Sequence, residues 1–140
     1  GWKPSFAPRS KQSPYEGGTR TPILVKWPGK IKPQERSEVV SSIDLVPTML
    51  QAAGAKVPGN LPGIDLLPVI DGKKKLGRKH LFGESYAHDV ADIDNLEDSL
   101  LFRWVIEDKW KLLLTYDGKV NRYKPVHLRE EKRLLIDRDI

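Results

Sequence analysis

The residues with chemical potential are concentrated in KQSPYEGGTR, Lys11 to Arg20, which places a lysine, a Ser-Pro pair, an aromatic ring, a carboxylate, two glycines and an arginine in one short loop. Pro14 fixes its own φ and pushes Ser13 towards an extended shape, while Gly17 and Gly18 allow close approach or positive φ. A loop of this kind holds Lys11 in place, and a held ammonium is a compact point charge with rotatable donors. The neighbours read as support: Glu16 and Arg20 as a buried ion pair bracing the loop, Gly17 and Gly18 as backbone-shape residues, and Tyr15 as a packing residue with its hydroxyl bonded nearby. His80 falls on a predicted strand and reads as structural, whereas His88 lies in a predicted loop and is the freer candidate for substrate contact. Three histidines without paired spacing make no metal site. Asp89, Asp92, Asp94, Glu97 and Asp98 raise calcium, but no start gives a glycine at the sixth loop position and a glutamate at the twelfth, so no EF-hand is expected.

These side chains need a scaffold, and 140 residues suffice for one domain with a core. There is no cysteine, hence no disulfide, thiolate metal site or cysteine nucleophile. No apolar run approaches the length needed to span a bilayer, and the first residues lack the pattern of a signal peptide. The net charge is +5, and Lys73, Lys74, Lys75, Arg78 and Lys79 form the densest basic cluster, which reads as a solvated loop. Without an aromatic platform or a finger spacing, no nucleic-acid role and no membrane role is predicted.

Along the chain, residues 1–13 read as an irregular entry segment. Thr21 to Trp27 reads as a strand buried on both faces, ending at Pro28-Gly29 and needing neighbours that the preceding residues are too few to supply. A helix is predicted over Leu45–Ala53, with Asp44 as N-cap, Pro47 in the first turn and Gly54 as C-terminal stop. The same signal recurs with Asp65, Pro68 and Gly72, and shared capping rules explain the echo. HLFGES predicts a short strand, and SLLFRWVIED with KWKLLLTYDG predicts two more joined by a tight turn at Glu107-Asp108-Lys109. Tyr86 to Ser99 predicts an exposed acidic loop. The tail reads as a helix or as a last strand at Leu134–Ile136, and the strand is preferred.

Four pieces, in order, resemble one family. SKQSPYEGGTRTPILVKWPGKI, SSIDLVPTMLQAAGA, LPGIDLLPVIDG and FRWVIEDKWKLLLTYDG look like the C-terminal part of a type I, formylglycine-dependent sulfatase of the alkaline-phosphatase-like superfamily. The first piece is the most specific. The resemblance implies an α/β fold class (α+β for these residues alone): the end of a large α/β domain over residues 1–72, followed by a small antiparallel four-stranded sheet with a packed helix over 73–140. It also implies that Lys11 contacts the sulfate of a sulfated carbohydrate or aryl sulfate. Such enzymes use a formylglycine, made in a C-x-P-x-R motif, whose hydrate attacks sulfur, together with a cation, usually calcium, held by aspartates and an asparagine. A preorganised cation balances the charge that develops in such a reaction.

This chain has no C-x-P-x-R sequence, and the family's Asp-Asn metal pair would fall just before Gly1. Nucleophile and cation ligands are therefore expected upstream, in the portion of the sulfatase chain that is this segment's first partner, and the 140 residues alone are expected to be inactive. An exposed Thr21–Trp27 edge predicts a homodimer or a swapped strand. Resemblance further suggests export, to a periplasmic, secreted or lysosome-like setting. The competing readings are a related phosphate or phosphonate ester hydrolase, a non-catalytic anionic-glycan-binding module using Lys11, Arg20 and the basic cluster, and an interaction domain with no anion site.

Overall fold

The computed structural model describes residues 13–87, 90–115 and 133–138. The chain divides into two compact units, one made of residues 1–22 and 82–140 and the other of residues 23–81.

The first unit is built on a four-stranded antiparallel sheet in sequential order, β1 (Leu81–Tyr86), β2 (Leu100–Glu107), β3 (Trp110–Thr115) and β4 (Arg133–Asp137). Sequence alternation and the turn chemistry lead to this meander. Glu107 pairs with Trp110, so the β2–β3 loop is Asp108-Lys109, and Asp108 takes φ 52°, a left-handed conformation that aspartate tolerates better than most residues. The tail resolves in favour of the strand: Lys111 pairs with Ile136 and Leu113 with Leu134.

Register decides which side chains share a face, because alternate residues point the same way. Phe102, Trp104 and Ile106 lie opposite Thr115, Leu113 and Lys111 respectively. Phe102 and Leu113 join Tyr15, Ala87 and Leu101 in the core, with Trp104 and Ile136 packed against it. Among the described residues of this unit, the α-helical element is a single turn, α1 (Glu16–Thr19). The acidic loop contains a short 3-10 turn, Leu96–Ser99. It is closed at its neck, where Ala87 N–H donates to the Ser99 carbonyl at 2.7 Å, while Ala91 N–H donates to Ser99 Oγ at 2.8 Å.

The second unit carries α2 (Leu45–Ala52) and α3 (Leu67–Ile70). Gly54 ends α2 with φ 70°, and Ala55 N–H returns to the Leu50 carbonyl at 2.9 Å, the bond of a Schellman cap. Asp65 Oδ1 accepts from Leu67 N–H at 2.9 Å, although the N-cap of α3 is Leu66, one residue beyond the expected cap. The Asp44 side chain does not cap α2. The chain enters α2 through a 3-10 turn, Ser42–Asp44, so Asp44 already has helical backbone and its side chain is free for other partners.

Thr21–Trp27 also departs from expectation. It is not a strand, and Leu24 is 91% exposed. Three consecutive apolar residues signal burial, but a strand exists only as a member of a ladder, and no described segment pairs with this one. The following turn does form, with Lys30 and Ile31 N–H both donating to the Trp27 carbonyl, at 3.1 and 3.0 Å.

Candidate functional site

Lys11 and His88 lie outside the described residues. The rest of the loop begins at Ser13, whose Oγ accepts from Tyr15 N–H at 3.3 Å. Pro14 and Tyr15 are buried. Tyr15 thus anchors the loop in the sheet's own core, as a packing residue. Gly17 and Gly18 take helical backbone within α1, so their use is compactness and not positive φ. Arg20 is exposed, and the expected Glu16–Arg20 pair is replaced by another.

Glu16 is shared between two cations. Arg138 Nε donates to Glu16 Oε2 at 3.1 Å, and Lys111 Nζ lies 3.4 Å from Glu16 Oε1. Geometry explains the exchange of partner: Arg20 follows α1 and points to solvent, whereas Lys111 sits on the inward register of β3, opposite Ile106. Its Nζ donates to Thr19 Oγ1 at 2.7 Å, and Thr19 Oγ1 donates onward to the Tyr15 carbonyl at 3.1 Å. Both ends of α1 are thereby tied to one ammonium. That ammonium is 5.1 Å from the centroid of the Trp104 ring, close enough for a cation–π contribution. Trp104 in turn lies on Gly83, where an added Cβ would fall 2.2 Å from the ring, so any larger residue there would displace the indole and the lysine stacked with it.

Lys111 is fully buried. Burial pushes its pKa below the ordinary lysine value; the Glu16 carboxylate works against that shift and the Arg138 charge adds to it. Arg138 is fixed separately, its Nη1 donating to the Asp108 carbonyl at 3.1 Å and its N–H to the Lys109 carbonyl at 2.8 Å. Hairpin turn, β4 terminus and α1 therefore converge on Glu16.

Neither Lys111 nor Arg138 was picked out from sequence. Sequence alternation pointed the other way, because Trp110, Leu112 and Leu114 form the more apolar register of this strand. Elsewhere, the basic cluster is divided: Lys73 pairs with Asp71 at 3.1 Å on the surface, while Arg78 turns inward to Asp44. His80 lies just before β1. Among the described residues no group of three or more histidine, cysteine or acidic side chains could hold a metal ion.

The family profile for N-sulphoglucosamine sulphohydrolase, C-terminal, matches residues 9–133. The chain belongs to this sulfatase C-terminal family. The chain is also similar to curated arylsulfatases: human arylsulfatase A is 47% identical over 85 residues, covering 59% of this chain and 17% of that protein. Canine arylsulfatase K is 48% identical over 59 residues, covering 42% of this chain and 11% of the relative. An uncharacterised sulfatase of Escherichia coli is 37% identical over 83 residues, or 56% of this chain and 15% of that protein. A solved structure described under the metabolism of multiple glycosaminoglycans by Bacteroides thetaiotaomicron superposes with a TM-score of 0.55 at 26% identity, covering 79% of this chain and 23% of its own. This sulfatase C-terminal segment thus spans less than a fifth of the length of the curated relatives it matches. The matched residues take in both Lys11 and Lys111.

Proposed function

We propose that this chain is the C-terminal part of an enzyme that hydrolyses sulfate esters of a sulfated carbohydrate or an aryl sulfate, and that Lys11 contacts the sulfate. The observation that carries this reading is the KQSPYEGGTR loop: it lies inside the sulfatase family match, and its Tyr15–Thr19 portion is pinned to the sheet by a core tyrosine and a buried ion cluster. A lysine on a segment fixed so close by can present its ammonium with little reorganisation. There it binds and orients the anion and offsets the negative charge that grows as the ester bond breaks.

Calcium and a formylglycine belong to this proposal through the family alone. The described residues do not form a metal site, and the sequence holds neither a cysteine nor a C-x-P-x-R motif. Both groups are assigned to the upstream portion of the parent chain, and the 140 residues alone are expected to show no turnover. Residues 1–72 are read as completing the upstream α/β domain and 73–140 as the small sheet subdomain, with an exported setting for the whole enzyme. The names of the relatives favour sulfate over the phosphate or phosphonate alternatives. The inward turn of Arg78 removes one cation from the patch that a glycan-binding module would use.

The test is Lys11→Ala in the full-length enzyme. Turnover of an aryl sulfate should fall by about 10²–10³-fold, the size of a lost preorganised charge contact, with the melting temperature unchanged. Unaltered turnover, or a fall that tracks lost thermal stability, would remove Lys11 from the sulfate.

A further inference from the structure

We propose that Lys111 is a positioning residue: from the buried face of β3 it sets the place of α1 and, through it, of the segment that bears Lys11. This rests on the sulfate-contact reading of Lys11.

An ordinary core position opposite Ile106 would hold an aliphatic side chain. Here a lysine occupies it with no solvent exposure at all. Burying an ammonium is costly and is tolerated only when its donors are satisfied and its charge is paired. Every partner of Lys111 that achieves this on the loop side belongs to α1: Thr19 Oγ1 at 2.7 Å and Glu16 Oε1 at 3.4 Å. The remaining contacts fix the lysine itself, with Trp104 over its stem end and Arg138 holding the other oxygen of Glu16 at 3.1 Å. The arrangement is a strut. One end is locked in the sheet, and the other holds the two ends of a four-residue turn whose N-terminal neighbours, Pro14 and Tyr15, are themselves buried. If α1 shifted, the ammonium would lose its hydroxyl acceptor inside the protein, so α1 has one low-energy seat. Four residues separate Lys11 from Glu16. Displacement of a reacting or binding group by about an ångström is enough to lower turnover by as much as about 10²-fold.

Two features distinguish this from generic core packing. The charge is placed on the side of the sheet where the loop docks and not on its solvent face, and Glu16 keeps a cation, Arg138, even when Lys111 is removed. Lys111→Met preserves the length of the stem against Trp104 and leaves no orphaned carboxylate, so it removes the strut without opening a large cavity.

In the full-length enzyme, assayed with a nitrophenyl sulfate, Lys111→Met should lower kcat by about 10-fold or more while the melting temperature moves little. The double variant Lys11→Ala/Lys111→Met should be no slower than Lys11→Ala alone, because a residue that acts only through another adds nothing once the other is gone. Thr19→Val, which removes the 2.7 Å acceptor and keeps the side-chain shape, should give a smaller fall of the same kind, about 3-fold, and serves if Lys111→Met fails to fold. The proposal is overturned if these variants lose thermal stability with kcat intact, or if the Lys111 and Lys11 losses multiply in the double variant. Unchanged turnover in Lys11→Ala instead overturns the sulfate reading and with it this route, which separates the two failures.

Discussion

Asp44 illustrates how one buried carboxylate can organise its surroundings. It receives the Arg78 guanidinium bidentately, at 2.7 and 2.6 Å, and the backbone N–H groups of Ser41 and Ile64, both at 2.8 Å. Burial alone would raise its pKa; the Arg78 hydrogen bonds and the two N–H donors outweigh that, and the pKa lies below the ordinary aspartate value of 3.8. Asp44→Ala should cost about 3–5 kcal/mol in urea unfolding, since it leaves a guanidinium buried without its counter-ion. Arg78→Lys should recover little of the planar pairing. The pH dependence follows from the depressed pKa. The contribution is fully present above the unfolded-state value and disappears as pH falls through the folded one. The gap between wild type and Asp44→Ala should therefore hold at neutral pH and narrow below about pH 4; a gap constant down to pH 2 would contradict the assignment. The exposed Lys73–Asp71 pair, by contrast, should matter little when cut.

At the scale of elements, the twin Ile-Asp-Leu-aliphatic-Pro motifs turn out to be interlocked. Ile64 N–H reaches Asp44 in the first copy, and Leu66 N–H reaches Thr48 Oγ1 at 2.9 Å, while Thr48 Oγ1 donates to the Asp44 carbonyl at 2.6 Å. The approach is so close that a Cβ on Gly63 would lie 2.1 Å from the Ile43 carbonyl oxygen and 2.7 Å from its carbon. Backbone cannot step aside as a side chain can, so Gly63→Ala should destabilise by about 1–3 kcal/mol, the usual cost of overpacking, in thermal or denaturant unfolding. A neutral result would mean that the two motifs part easily. Sequence made the echo visible but not this crossing, because hydrogen bonds between segments leave no periodic trace. The β2–β3 hairpin was legible, since alternation and the Glu107-Asp108-Lys109 turn agree, as were the stops at Gly54 and Gly72. Asp44 sits at the expected N-cap, but because Ser41 begins a turn one element earlier its side chain serves that turn instead of α2. Lys111 escaped notice because the opposite register, Trp110, Leu112 and Leu114, is the more apolar, so only the pairing with β2 reveals that Lys111 faces inward.

For the molecule as a whole, the apolar segment around Leu24 is the feature that a sheet-forming chain would least tolerate in isolation. The 140-residue chain is expected to associate with rising concentration through it, and Leu24→Lys should return light scattering to the monomer value, because a charge in an exposed apolar segment opposes its burial against another copy. Association that persists in the variant would point to a different surface. The parent enzyme is expected to cover this segment with strands of its α/β domain. The acidic loop presents the opposite case. Its two ends are already joined by the 2.7 Å bond from Ala87 to Ser99, so whatever lies between them is anchored at a fixed stem. The entropy of closing a loop grows only with the logarithm of its length. Residues between that stem can thus be lengthened, shortened or exchanged while the sheet below keeps its register. Evolution, or an engineer grafting one loop for another, can alter what this loop meets without refolding what holds it.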